Sequence, residues 1–364
     1  MTKILYISPE NIVGLLSTWK KAHESVGNTC RYVTMFHTIL DFPEDICLNL
    51  PLITNQAWYL NIRRKLQTHW YRRDPDVERP GNPPWWTPAN HLEAFYFRFR
   101  DRLWQGRIEK AIRDYRLEDF DIYHFEWGLD LYRDCRFAER LKKADKHIVT
   151  HYHGIDLRNR GVLPKMDELS DLVLTNELDL LSRYPRMKYL FLPYDTDQFP
   201  AKKHVNTPLR ILHMTMNRYF KGTERIIEVC KQLEKDFKVE FILLERVPHD
   251  QAMAIKASCD INIDQISNTG GWGYGMNSVE SLSMGICTCT NLLPEYEAFI
   301  PDHPFVNIDS ENLYDQLAAL IRNPEKIQEK GAEGKIWVRK THGVNSVREQ
   351  LYQYYREAGF IGDS

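Results

Sequence analysis

The segment D-I-N-I-D-Q-I-S-N-T-G-G-W-G-Y-G-M-N-S-V-E-S-L-S-M-G, residues 260–285, is where residue types capable of chemistry are densest. Ile261, Ile263 and Ile266 mark a short buried strand, and Gly270, Gly271, Gly273 and Gly275 follow in a loop. Met276, Val279 and Leu282 then recur at helical spacing, so a helix opens at about Met276. A strand, a glycine-rich loop and a helix N-terminus form an anion site, because glycines let successive N–H groups converge and the helix dipole adds partial positive charge. Glu280 sits one turn inside that helix, where its carboxylate can accept two hydrogen bonds from a sugar diol such as a ribose. Gly285 suits the helix end, and I-C-T-C-T (286–290) resumes as a strand. The plain alternative is a glycine-rich surface loop.

Two further segments carry polar chemistry. In L-H-M-T-M-N-R-Y-F-K-G-T-E (212–224), Arg218 and Lys221 follow a strand and precede a helix, a pairing that suits a diphosphate. Taken alone, such a pair is an ordinary solvated turn. In T-H-Y-H-G-I-D-L-R (150–158), His151, His153, Asp156 and Arg158 stand at the end of another strand. Imidazole beside carboxylate suits hydrogen bonding to sugar hydroxyls or proton transfer at neutral pH. An H-x-H with a nearby aspartate can also hold zinc or iron, but no third ligand stands at suitable spacing, so no metal is expected.

The elements that position these groups alternate between strand and helix, which predicts parallel α/β domains. Strands are expected at 3–8, 121–125, 147–151, 172–175, 209–214, 239–244 and 305–308, and helices at 90–115, 131–143, 222–236, 249–257 and 313–322. F-L-P-Y-D-T-D-Q-F-P (191–200) reads as a linker, and a terminal helical stretch opens at Pro324 behind a capping Asn323 and breaks near His342–Gly343. The expected division is a first Rossmann-like domain over 1–194, a second over 195–340, and a C-terminal helix over 341–364 packing back on the first domain. Two such domains form a cleft between the carboxyl ends of their sheets.

The chain has 364 residues, a formal net charge of −2 and 27% charged residues, so nothing in the overall charge draws it to nucleic acid or anionic lipid. Its seven cysteines are scattered; Cys287 and Cys289 would stand side by side on one strand, roughly 6.5–7 Å apart and poorly placed for a disulfide. Free thiols in a reducing cytoplasm fit this usage, and no apolar run reaches membrane-spanning length. One stretch stands apart. Residues 56–107 interleave aromatics (Trp58, Trp70, Trp85, Trp86, Phe95, Phe99, Trp104) with arginines (Arg63, Arg72, Arg98, Arg102, Arg107). An insertion packed on the first domain, a membrane-facing surface and a nucleic-acid platform are the three readings, with nucleic acid the least suited.

With these segments together, the chain resembles GT-B glycosyltransferases of the family 4 type. The resemblance covers N-R-Y-F-K-G-T (217–223), Asp260–Gln265 and Y-G-M-N-S-V-E-S-L-S-M-G (274–285) in order, H-G-I-D-L-R (153–158) in the first half, and the linker L-P-Y-D-T-D-Q-F (192–199). It implies two Rossmann-like domains facing each other across a cleft, and glycosyl transfer from a nucleoside-diphosphate sugar to a glycan or lipid-linked acceptor. By resemblance the reaction is retaining and metal-independent, with no cofactor. Arg218 and Lys221 would hold the diphosphate and stabilise the leaving group, and His153 would meet the donor sugar. Glu280 would bind the ribose, backbone near Val247 the base, and Gly273, Tyr274, Gly275, Met276, Asn277 and Asn268 the rest of the donor. Gly14, Asp156 and Arg158 would lie on the acceptor side. Trp272 replaces the glutamate that the family usually places eight residues before Glu280, which opens two alternatives: a catalytically silent sugar-nucleotide-binding subunit, or a GT-B-like epimerase or hydrolase. The expected location is cytoplasmic, with peripheral membrane contact through 56–107.

Overall fold

A computed structural model describes residues 1–38, 42–51, 85–88, 90–154, 156–269 and 271–362. The expectations for Gly270 and for residues 56–84, including Trp58, Arg63, Trp70 and Arg72, lie outside them. The chain divides into two compact units, Met1–Leu192 with Arg348–Ser364, and Pro193–Val347.

The first unit is built on seven parallel strands, β1 (Lys3–Ser8), β2 (Thr29–Thr34), β3 (Ile46–Cys47), β4 (Ile122–Glu126), β5 (His147–Tyr152), β6 (Leu172–Thr175) and β7 (Met187–Tyr189), in the order β3-β2-β1-β4-β5-β6-β7. The central strands are almost continuously buried, as a parallel sheet covered on both faces requires. The second unit holds β8 (Leu209–Thr215), β9 (Val239–Glu245), β10 (Ile261–Ile263), β11 (Cys287–Thr290) and β12 (Val306–Asn307), in the order β12-β11-β10-β8-β9. Both orders reverse direction next to the first strand of the unit, so each sheet has a switch point at its carboxyl edge.

Three strands, β2, β3 and β7, were not expected; two of them have only two or three residues, too few for a clear alternation. The helix expected over 131–143 runs only from Arg136 to Lys143. Asp130 explains the late start: its buried carboxylate accepts the Phe137 and Ala138 N–H groups at 3.0 Å, capping the helix from outside while Cys135 turns left-handed at φ 59°. The helix His91–Asp114 begins where the Asn90 side chain accepts the Glu93 N–H. The terminal stretch divides at Gly343 into Pro324–His342 and Val344–Glu357.

The last helix belongs to the first unit's core from Arg348 on. The Tyr352 hydroxyl bonds His23 and Asn28, Tyr355 bonds His124, and Gln350 and Tyr354 both donate to the Tyr189 carbonyl. All seven cysteines are free. Among the described residues no helix is long and apolar enough to cross a membrane.

The aromatic stretch is divided in its use. Trp86 and Phe97 meet edge-on at 5.4 Å, with the Arg133 guanidinium over both rings, and buried Trp104 carries Arg100 at 4.0 Å. These residues follow the packing reading. Leu92, Phe95, Phe99 and Leu103, three or four residues apart along one helix, are exposed.

Candidate functional site

In the second unit the functional side chains gather where β8, β9 and β10 end. After β8, the Asn217 side chain accepts the Tyr219 and Phe220 N–H groups and starts a single helical turn, Arg218–Lys221. Gly222 closes that turn at φ +70°, where a Cβ would strike the Ile266 side chain. Buried His213 fixes the geometry below, with Nδ1 2.8 Å from the Ile263 carbonyl and Nε2 2.8 Å from the Thr223 hydroxyl; burial holds its pKa down, so the ring stays neutral.

Arg218 and Lys221 therefore stand at the expected edge, but neither is unpaired. The exposed Arg218 guanidinium makes a fork on Glu245, at 2.8 and 2.6 Å, and reaches Glu224 at 2.8 Å. Lys221 Nζ donates to Asp264 Oδ1 at 2.7 Å and to Gln265 at 3.0 Å.

Asp264 changes the reading of the glycine loop. Fully buried at the end of β10, it accepts the Gly275 N–H at 3.0 Å and the Ser278 hydroxyl at 2.7 Å on Oδ2, and the Asn277 amide at 3.3 Å on Oδ1. The N-terminus of the helix Met276–Ser283 thus holds an anion from its own chain. Burial alone would raise this carboxyl, but Lys221, Ser278 and the Gly275 N–H together hold it well below the carboxylate range. The loop itself is shaped by Gly273 at φ +81°, where a Cβ would collide with the Tyr296 ring. Asn268 donates to Asn291 at 2.7 Å, and its own carbonyl oxygen has no partner among the described residues. Tyr274 points into an aromatic cluster with Phe305 and Trp337 and hydrogen-bonds His342, so only its backbone remains for a ligand. Among the described residues no polar contact distinguishes the Met276 side chain.

Glu280 is 6% exposed and carries two cationic partners that the sequence reading missed. Lys256, 0% exposed, ion-pairs with Oε2, and His249 Nε2 lies 3.3 Å from Oε1. Burial would raise the Glu280 carboxyl, but Lys256 and His249 pull it below its ordinary value. Burial lowers the Lys256 pKa, with Glu280 opposing, and the Glu280 bond raises that of His249. Both come from the helix His249–Ala257, whose signal was visible: Lys256 falls on the buried side with Ala252 and Met253. Val247, half-buried two residues before that helix, packs on the same core.

In the first unit, β4 and β5 end in a second cluster. His153 Nε2 lies 2.5 Å from Glu126 Oε2, and its Nδ1 lies 2.8 Å from Asn176 Oδ1. Burial would lower the His153 pKa, but Glu126 and Asn176 raise it; burial drives that of His151 down. Asp156 accepts the His153 and Leu157 N–H groups, and Arg158 is forked on Asp179 and also held by Glu177. These two expected acceptor-side residues thus build the turn. Gly14 sits at φ +70° with the Phe42 ring 3.1 Å from where a Cβ would stand, so its close approach is to that ring. Glu126 is the third ligand type that the local spacing around His151 and His153 lacked.

No protein-family model matches the chain, and no curated protein matches it in sequence. Solved structures do match, along its whole length. Sucrose-phosphate synthase from Thermosynechococcus elongatus aligns at 10% identity over 98% of this chain and 99% of its own, with a TM-score of 0.59. A glycosyltransferase from Rickettsia africae gives 11% identity, 98% of each chain and 0.58. HepE from Anabaena, solved with UDP-glucose, gives 12%, 98% of this chain, 100% of its own and 0.56. The chain has the GT-B fold. At such identities the likeness establishes the architecture of this GT-B chain, two parallel-sheet α/β domains, and leaves its chemistry to its own residues.

Proposed function

We propose that this chain is a glycosyltransferase that moves a sugar from a nucleoside-diphosphate sugar to a hydroxyl of a glycan or lipid-linked acceptor. The observation that carries this reading is the helix Met276–Ser283, whose first turn shares the Asp264 carboxylate with Lys221 and which carries Glu280 held ionised by Lys256 and His249. A carboxylate offers about four lone-pair positions, and Lys256 and His249 take two, so a ribose diol has two left. Arg218 and Lys221 oppose the charge that develops on the departing diphosphate, so the chemical step takes no divalent metal. The half-buried turn at Val247 borders the base. Retention at the anomeric carbon follows from the resemblance. HepE, with the same fold, has been solved with UDP and with UDP-glucose, which supports a nucleoside-diphosphate sugar as donor. The resemblance gives His153 the donor sugar, and its two ring nitrogens face Asn176 and Glu126.

Thermal denaturation against UDP-, GDP-, ADP- and dTDP-sugars, without added metal, tests the donor site. A nucleotide present at a hundred times its Kd stabilises by about 2.7 kcal/mol, a shift of several degrees. The expected result is a rise confined to one nucleotide family; no response to any of them overturns the assignment. The silent-subunit reading keeps one observation in its favour, the carboxylate partners already on Arg218 and Lys221. It predicts nucleotide binding with no donor consumed in the presence of acceptor, and an epimerase or hydrolase consumes donor without acceptor.

Peripheral membrane contact is the second part of the proposal. Exposed Leu92, Phe95, Phe99 and Leu103 form one helical stripe beside exposed Arg98 and Arg102, the composition of a surface-lying amphipathic helix. Phe95→Ser/Phe99→Ser should reduce binding to anionic liposomes about tenfold and leave nucleotide binding unchanged. Equal partitioning of both proteins rejects the contact.

A further inference from the structure

We propose that Glu126, His151 and His153 form a binding site for a divalent transition-metal ion of the zinc type. The backbone brings these ligands together. Glu126 ends β4 and His151 lies in β5 as its direct register partner, while His153, two residues further on, takes the same face. β4 is the middle strand of seven and β5 its neighbour, so the ligands stand on the most rigid part of the sheet. Glu126 and His151 are 1% and 2% exposed, whereas the His153 side chain is 18% exposed and gives an entry path.

The local hydrogen bonding suits a cation. His153 Nδ1 is 2.8 Å from Asn176 Oδ1, which orients the ring and leaves Nε2 toward Glu126. Nε2 faces the Glu126 carboxylate oxygen at 2.5 Å, a pairing that needs a proton or a metal ion between the two atoms. His151 Nδ1 faces the same oxygen at 3.5 Å. Beside them Glu126 Oε1 is buried without a hydrogen-bond partner among the described residues, a second oxygen of the ligating carboxylate that an ion would engage. A proton would bridge only one nitrogen–oxygen pair, whereas an ion engages all three groups.

The donor set and geometry fit zinc. Two histidines and one glutamate are a zinc-binding set that leaves a fourth position open. Metal–ligand bonds of about 2.0–2.1 Å in a tetrahedron put ligand atoms roughly 3.3 Å apart. The His151–Glu126 separation already meets this, and the His153–Glu126 pair need open by only about 0.8 Å. Asn176 on the far nitrogen of His153 is the outer partner that fixes a ligating ring. All ligand atoms lie within 4.8 Å of one another.

The test uses the untagged full chain, loaded with Zn²⁺ or Co²⁺, passed over a desalting column and assayed by elemental analysis and visible absorption. One equivalent of metal and a tetrahedral Co²⁺ spectrum are expected. His153→Gln, at the partly exposed position, should lower the affinity by at least a hundredfold with an unchanged circular dichroism spectrum; Glu126→Gln is the buried companion. A wild-type chain that retains less than a tenth of an equivalent overturns the proposal and leaves a proton as the cation. Metal retained equally by wild type and His153→Gln also overturns it, because the ion is then bound elsewhere. Neither result bears on whether the second domain binds nucleotide.

Discussion

Asp264→Asn should lower donor turnover by two to three orders of magnitude while the second domain stays folded. The substitution keeps the size of the side chain and its capacity to bond Gly275 and Ser278, but removes the charge that fixes Lys221. A lysine freed from that tether regains rotamer entropy and hydration, and must surrender both to meet a leaving diphosphate. Loss of a preorganised cation at a developing charge costs about 10²–10³ in kcat. The loss should therefore fall mainly on kcat, with a smaller change in donor KM, because Glu280 and its ion pair are untouched. Steady-state kinetics with the donor found by the nucleotide panel, beside circular dichroism, decides the matter. Full kcat in Asp264→Asn would mean that Lys221 takes no part in the reaction.

Lys256→Met should lower the melting temperature of the second domain by roughly 10 °C. Lys256 and Glu280 are a buried ion pair, and removing one partner strands the other charge at a cost of about 3–5 kcal/mol. His249 offers only a half-exposed substitute at 3.3 Å. The double variant Lys256→Met/Glu280→Met should recover most of the lost stability, since apolar residues of similar size replace a buried pair at little cost. It should not recover nucleotide binding. Thermal melts of the single and double variants, each with and without nucleotide, separate the two effects. Glu280→Ala is a poor probe of the site for the same reason, because it leaves Lys256 unpaired; Glu280→Gln is the informative change.

The alternation of strand and helix was legible because period-2 and period-3.6 apolar patterns need only neighbouring residues, and strands β1, β6 and β8 begin where that pattern places them. Arg218 and Lys221 follow β8 directly, so chain order alone puts them at a carboxyl edge, whereas Glu280 lies beyond a long loop inside the helix Met276–Ser283. What each side chain touches was not legible. Asp264 meets Gly275, and Glu126 meets His153, only through register and loop closure across intervening residues. The glycine loop read as an empty anion cradle because nothing local says that Asp264 fills it. Lys256 left a trace, a cation in phase with apolar neighbours, but a helix of nine residues gives little power to separate that from a surface lysine.

The C-terminal helix has a consequence for how the chain is made. Tyr352, Tyr355 and Gln350 complete a core whose other walls, His23, His124 and Tyr189, are translated far earlier. Residues 193–347, by contrast, contain every strand of their own sheet. The first unit is thus assembled from two stretches far apart in sequence, whereas the second is contiguous. Loss of the segment Arg348–Ser364 should therefore damage the unit that begins at Met1 rather than the one next to it in sequence.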